Sequence, residues 1–355
     1  MKVALITDTH FGARSDNIAF DSYFAKFYDE TFFPDLEKRG IKTVVHLGDV
    51  FDRRKYINYN TLQSCKKYFF DKARDMGIDI HMVPGNHDTY FKNTNDVNSP
   101  ELLLREYDNI TIYPEVTELI LDRRKILFMP WICSENYKSS MQAVEDTDAE
   151  VCFGHFEFAG FIMYKGFANE HGMSAGDFTK FDLVCSGHFH HRHKIGNVAY
   201  LGNPYPITWS DYDDPRGFNI YDTVDNNLEF VENPNSIFRK FHYDDEDETF
   251  NNLIENLDWK DLEGKIIKLI VIKKTDFVKF DNFVDKLYTT NPLELKILED
   301  FSEFEDEAVG DEAINLEDTM TLLNDYVDNI QTEDVDPDRL KTVLQELYIE
   351  SQNLE

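Results

Sequence analysis

The first 235 residues alternate short apolar runs with longer amphipathic stretches. The runs predict strands at Val3–Thr7, Thr43–Leu47, Ile80–Val83, Ile110–Tyr113, Ile126–Met129, Glu150–Phe153, Leu183–Cys185, Val198–Leu201, Gly217–Tyr221 and Leu228–Val231. The amphipathic stretches predict helices near 19–39, 58–76, 99–107 and 138–146. Strand–helix alternation early and hairpin-like strands late point to a layered α/β domain over 1–240, with a mixed sheet or two packed sheets.

Around residue 240 the pattern changes, and the acidic patch "YDDEDETF" opens a new unit over 241–298. There "KIIKLIVIKK" reads as a strand, 277–289 as a helix and "LELKIL" as a second strand, a small βαβ-like cap. The acidic, aliphatic-poor segment 299–317 reads as a linker. Residues 318–355 hold two short amphipathic helices. Leu322, Leu323, Tyr326, Val327 and Ile330 share one face, and Leu340, Val343, Leu344, Leu347 and Tyr348 another. Pro337 opens the last helix behind Asp336 as its cap.

Charge sharpens this division. The chain carries −32, and 241–355 holds 32 acidic against 10 basic residues, leaving only −10 on residues 1–240. That excludes a generally basic nucleic-acid coat and leaves room for a local cationic groove. No run of about 18 apolar residues is present, so no membrane span is expected. The apolar start "MKVALITDTHFG" is interrupted by Asp8 and His10 and has no small-residue cleavage site, so it reads as a buried strand of a cytosolic protein. Cys65, Cys133, Cys152 and Cys185 form no C-x-x-C pair, which argues against a disulfide framework or a thiolate zinc site.

Candidate chemistry recurs at strand ends. "ITDTH" supplies Asp8 and His10, and "VVHLGDVFDRR" supplies Asp49, with Asp52 behind it. "HMVPGNHD" supplies Asn86, His87 and Asp88, "CFGHF" supplies His155, and "CSGHFHHRH" holds four histidines in six residues. Each block is an apolar run followed by a ligand-type side chain, often after a glycine that lets the chain turn. Imidazole nitrogens with carboxylate and amide oxygens suit Mn, Fe, Zn or Mg. Seven ligands exceed the needs of one ion but suit two sharing a carboxylate, and ions about 3.5–4 Å apart can hold a bridging hydroxide and clamp a phosphate. Alternation of side chains picks His188 and His190 as ligands and leaves His191 and His193 as surface or phosphate contacts.

The five ordered blocks D-x-H, G-D, G-N-H-D, G-H and G-H-x-H, spread over 8–190, resemble the calcineurin-like metallophosphoesterase family. The resemblance implies a four-layer α/β/β/α sandwich with a small α+β cap and C-terminal helices. It implies one metal site of Asp8, His10, Asp49 and His190 and a second of Asp49, Asn86, His155 and His188. It makes His87 a transition-state stabiliser or proton donor to the leaving oxygen, with Asp52 orienting it unless that carboxylate only caps a helix.

The stretches "GDVFDRRK", "GNHDTYFKN", "FMPWICSEN", "FGHFEFAGFIMYKG" and "LGNPYPITWSDYDDPRGFNIYD" look closest to nuclease subunits of recombination and double-strand-break repair complexes. Those include the bacterial SbcD type and the recombination endonuclease subunit of T-even-like phages. The SbcD type often has His where Asp52 stands.

This closer resemblance implies a Mn-dependent DNA exonuclease or endonuclease using two divalent ions, with Mg as the alternative. It also implies a homodimer that works with an SMC-like ATPase, in the cytoplasm, or the host cytoplasm if viral. The chain has no G-x-x-x-x-G-K-[ST] loop, so ATP binding falls to the partner, docked by the C-terminal helices. Arg14, Arg53, Arg54, Lys55, Lys138, Lys165, Arg192 and Lys194 share the motif loops and are the candidate DNA contacts. A phosphomonoesterase or cyclic-nucleotide phosphodiesterase of the same fold, and a non-catalytic scaffold, are the rival readings.

Overall fold

The computed structural model describes residues 1–164 and 167–299. All ten predicted strands form, and the alternation within them sets the layering. One six-stranded sheet runs, in spatial order, Asn227–Glu232, Gly217–Asp222, Lys2–Ile6, Thr43–His46, Asp79–Met82 and Ile110–Ile112. The other runs His193–Ile195, Val198–Tyr200, Leu183–Gly187, Val151–His155, Arg124–Met129 and Thr117–Leu121.

Odd and even positions of one strand enter different cores. Val3, Leu5, Val45 and Leu47 pack against Val151, Phe153, Leu183 and Cys185 between the two sheets. Ala4, Ile6 and Val44 face outward onto Phe24, Phe27, Phe32, Phe69 and Phe70 of the helical layer. Cys152, Val184 and Val198 face the opposite way, onto Val144, Phe178 and Phe181. This is the four-layer α/β/β/α sandwich, since each sheet is covered on both faces and its central strands are therefore apolar throughout. Three of the four cysteines lie in these cores, and all four are buried free thiols.

The two long helices each contain a π turn. Ile18–Phe27 passes through Tyr28–Phe32 into Phe33–Arg39, and Tyr59–Cys65 through Lys66–Phe70 into Asp71–Asp75. The predicted helix at 99–107 is only Ser99–Leu103.

Several strands escape the periodicity. Thr117–Leu121 pairs with Arg124–Met129 through a two-residue turn at Asp122 and Arg123, both at positive φ (48° and 73°). That backbone fits a tight hairpin, but Asp-Arg lacks the usual glycine signal. His193–Ile195 is a three-residue edge strand, and Ile162–Tyr164 pairs with Phe167–Ala168. Phe238–Asp244 pairs in parallel with Ile266–Lys273, so the boundary expected at 240 falls inside a strand. With Glu294–Glu299 these make a three-stranded sheet, covered by Phe250, Phe280, Phe283 and Leu287. The expected linker from 300 onward and both C-terminal helices lie outside the described residues.

Candidate metal centre

The motif loops leave the carboxyl ends of parallel strands, three from one sheet and two from the other. Backbone hydrogen bonds zip the first two loops together: Asp8 N–H donates to the Gly48 carbonyl (3.0 Å), His10 N–H to Asp49 (3.1 Å) and Phe11 N–H to Val50 (2.9 Å). Asp8, His10, Asp49 and His188 all sit at positive φ (52°, 41°, 55° and 84°). Non-glycine residues rarely adopt that region, and such strain gathers at functional sites.

Glycines allow the loops to approach. A Cβ on Gly85 would lie 2.3 Å from Asp49 Oδ1, and one on Gly187 2.0 Å from Thr7 Oγ1 and 2.9 Å from Asp8 Oδ2. Asp88 clamps the same loops, its buried carboxylate accepting from Val50 N (3.0 Å), Phe51 N (3.2 Å) and Gly85 N (2.9 Å). Asp88 is thus a brace between motifs and caps no described helix.

All seven predicted ligands converge. Asp8, His10 and His190 form one cluster and Asp49, His155 and His188 another, the ligand atoms of each lying within 4.8 Å of one another. His10 Nε2 is 3.1 Å from His190 Nε2. Asn86 Oδ1 lies 3.0 Å from both His155 Nε2 and His188 Nδ1. Asp49 belongs to both groups: its Oδ2 is 3.3 Å from His155 Nε2 and 3.8 Å from His10 Nε2. Its Oδ1 accepts the backbone N–H of His87 at 2.7 Å, which leaves Oδ2 turned towards both clusters.

The donor set fits divalent cations. His155 Nδ1 lies 2.7 Å from the Leu47 carbonyl and can only donate there, so in a neutral ring Nε2 is a bare lone pair. That lone pair faces two oxygens, Asn86 Oδ1 and Asp49 Oδ2. Such a convergence of acceptors needs either a proton or a cation between them. Oxygen and imidazole ligands without thiolate suit Mn, Mg, Fe or Zn.

Electrostatics follow the same geometry. Burial pulls the His10 pKa down, but the carboxylates of Asp52, Asp49 and Asp8 outweigh it and hold it at about 9. Burial likewise opposes, and Asp49, Asp8 and the Leu47 carbonyl favour, the charged form of His155, which also stands at about 9. Burial and the neighbouring His155 push His188 down to about 3, and burial with His10 and Arg216 lowers His190. Burial raises the Asp49 carboxyl, yet the His155, His87 and His10 imidazoles hold it well below the ordinary range. Burial, with the neighbouring Asp49, raises the Asp8 carboxyl, so the metal-free site crowds groups of opposite preference, as a site built to hold positive charge does when that charge is missing.

Three expectations need correction. The Asp52 carboxylate does not orient His87. It lies 3.5 Å from His10 Nδ1, and it is the Asp52 backbone carbonyl that accepts from His87 Nδ1 (2.6 Å). His188 and His190 do not work as a same-facing pair, because the positive φ at His188 breaks the extended alternation and sends the two rings to different clusters. His193 is not simply solvated: its ring stacks on Tyr200 (5.3 Å, 7°) and accepts the Ile162 N–H at 3.0 Å. His191 Nδ1 pairs with Asp214 at 2.8 Å.

The basic candidates divide. Arg53 is paired to Asp16 (3.1 Å), Arg54 donates to the Thr89 carbonyl (3.0 Å), and Arg192 lies 4.3 Å over the Phe230 ring. Arg14, Lys55, Lys138 and Lys194 are exposed, and Lys165 lies outside the described residues. Sequence reasoning missed the supporting shell. Buried His46 holds Thr9 Oγ1 at 3.0 Å, and Trp131 packs against the His188 and His155 rings at 5.2 and 5.9 Å. Trp131 stands in "FMPWICSEN", a stretch that carries none of the seven expected ligands and so gave the indole no role.

The profile of the calcineurin-like phosphoesterase family matches residues 1–192. The chain is 30% identical over 355 residues to "Exonuclease subunit 1" of Enterobacteria phage T4, covering 99% of each. It is 25% identical over 203 residues to the DNA double-strand break repair protein Mre11 of Sulfolobus acidocaldarius, 55% of this chain and 50% of that one. A solved archaeal phosphodiesterase aligns with 65% of this chain and 99% of its own at 14% identity, with a TM-score of 0.33.

Proposed function

This chain belongs to the calcineurin-like phosphoesterases, and from that premise we propose that it is the two-metal nuclease subunit of a DNA recombination and end-processing complex. It is a metal-dependent phosphodiesterase, and its full-length likeness to a phage exonuclease subunit supports a nuclease role. The observation that carries the two-metal reading is the single oxygen of Asp49 lying between two clusters of ligand-type atoms. Asp8, His10, Asp49 and His190 would hold one ion, and Asp49, Asn86, His155 and His188 the other. When bound, the pair supplies a nucleophile at neutral pH and Lewis-acid stabilisation of the charge on phosphorus. Among the ions this ligand set suits, manganese is our choice, on the resemblance to nuclease subunits of recombination complexes.

The chain's own residues do the rest. The backbone bond from His87 N–H to Asp49 Oδ1 sets His87 at the rim of the centre, its ring 4.9 Å from that of His10. The Asp52 carbonyl on Nδ1 keeps a proton there in either charge state, so the proton that comes and goes is the one on Nε2. His87 Nε2 is then the group that protonates the departing sugar oxygen. Exposed Arg14, Lys55, Lys138 and Lys194, with Arg53, Arg54 and Arg192, would hold phosphates without reading sequence.

Further proposals concern assembly. Tyr56 and Leu102 are exposed and line one groove with Ile57 and Leu103, an apolar surface that a second copy of the chain would cover. An SMC-like ATPase would dock on the C-terminal segment, which lies outside the described residues, and the complex would work in the cytoplasm. Among the described residues no helix is long and apolar enough to cross a membrane.

The test is a nuclease assay with manganese on linear duplex and single-stranded DNA, with and without the ATPase and ATP. His87→Ala should keep both ions and lose about 10²–10⁴-fold in cleavage. Loss of metal binding in that variant would make His87 a ligand. Release of phosphate from small esters with no cleavage of DNA would place the substrate elsewhere.

A further inference from the structure

Arg216 is the most deeply buried arginine of the described residues, 4% exposed, and it lies in no motif that holds a ligand. Its guanidinium is a four-way junction. Nη1 donates to the backbone carbonyl of His190 and to Asn203 Oδ1. Nη2 donates to Asp211 Oδ1 (3.0 Å) and Asp214 Oδ2 (2.8 Å). The same Asp214 oxygen lies 2.8 Å from His191 Nδ1, so the residue after His190 is held by the same cluster.

Both carboxylates are themselves fixed or buried. Asp211 Oδ2 accepts the N–H groups of Ile207 (2.8 Å) and Thr208 (2.9 Å), and the Asp214 side chain is 6% exposed. A second contact converges on the same carbonyl: Gly202 sits at φ +72°, and a Cβ there would lie 2.7 Å from His190 O. Thus Arg216 holds the backbone of one ligand-type residue, and the glycine at 202 lets the segment 202–216 pass close against it.

Burying a guanidinium is costly unless its donors are matched and its charge is compensated. Here two aspartates balance the charge, and one of the matched acceptors is a carbonyl belonging to the cluster Asp8, His10 and His190. No comparable arginine among the described residues grips the backbone of His155 or His188. His188 N–H is instead held by the Asp8 carboxylate at 3.1 Å, and His155 Nδ1 by the Leu47 carbonyl.

We propose that Arg216 is the positioning residue of one half of the centre: it fixes the His190 backbone, and with it the imidazole that faces His10, while the Asn86–His155–His188 half stands without it. This rests on the two-metal reading. Lysine cannot replace the fork, because an ammonium is a point donor that cannot match four acceptors in one plane.

The test compares wild type with Arg216→Met and Arg216→Lys in two measurements. In the metal-free protein, imidazole NMR signals of His10 and His190 should shift while those of His155 and His188 stay. In manganese titration by calorimetry, one of two sites should weaken by about 10–100-fold, the scale for losing an outer partner of a ligand, and the other should keep its affinity. Should Arg216→Met fail to fold, Arg216→Lys carries the comparison and should move in the same direction. Unchanged His190 and His10 signals, or equal loss at both metal sites, would overturn the proposal. A wild type that binds fewer than two ions would instead sink the two-metal reading, and the metal-free spectra would still decide the role of Arg216.

Discussion

Two imidazoles of the centre make the metal-free protein sensitive to pH above neutrality. His10 and His155 stand at about 9, well above the ordinary histidine value near 6.5. A pKa raised by folding contributes stability that is full below the unfolded value and is lost as pH climbs through the folded one. The metal-free protein should therefore lose thermal stability between about pH 6.5 and 9. Metal loading runs the other way, because a ligand imidazole must be neutral. Binding at pH 7 should release about two protons, measured by calorimetry in buffers of different ionisation enthalpy, and affinity should rise towards pH 9. Proton release near zero would mean that His10 and His155 are already neutral in the metal-free protein.

At this scale the seven ligand-type residues were legible, because aspartate, asparagine and histidine after short apolar runs leave few other readings. Asp52 was legible as a participant but not in its mode of action: a side chain and its own carbonyl point to different histidines, and sequence does not say which atom is used. Arg216 stood unread within "DPRGF", since its partners are a backbone carbonyl and acids five or fewer residues away.

Strands and the loops that follow them carry the centre, and their glycines test that directly. A Cβ on Gly187 would collide with Thr7 Oγ1 at 2.0 Å and crowd Asp8 Oδ2 and His155 Nδ1 at 2.9 Å. Thr7 and Asp8 are buried between the loops and cannot give way. Gly187→Ala should cost about 1–3 kcal/mol or more in denaturant unfolding and weaken metal binding at both clusters. Gly77→Ala is the control: its φ is +63° but nothing lies within 4 Å, so it should cost about 1–2 kcal/mol and leave the metals untouched. Equal effects on metal binding would show that the loops are not packed as described.

Core strands were legible because each is apolar on both faces. The edge strands at Thr117–Leu121 and His193–Ile195 were not, for they are half solvent-facing, and one begins among histidines that look like ligands. The strand Phe238–Asp244 was hidden by the charge change at its own end, which reads as a boundary although the backbone runs straight through it.

Over the whole chain the charge is −32, and the basic side chains of the motif loops stand out against that background. DNA held only by such local cations should bind with a steep salt dependence, with an affinity loss of several hundred-fold or more between about 50 and 200 mM salt if six or more phosphates are contacted. A binding constant indifferent to salt would deny the groove. What periodicity could not show is that two sheets close over one another and bring loops 180 residues apart within reach, as with Asp8 and His188. The order of motifs implied it, through resemblance to a family, and packing of the inward strand faces explains it.

Anomalous diffraction at the manganese edge, from crystals of the chain soaked at saturation, would locate the ions relative to Asp49. Two peaks should flank Asp49, one among Asp8, His10 and His190, the other among Asn86, His155 and His188. A single peak, or two peaks that share no ligand, would contradict the two-metal reading.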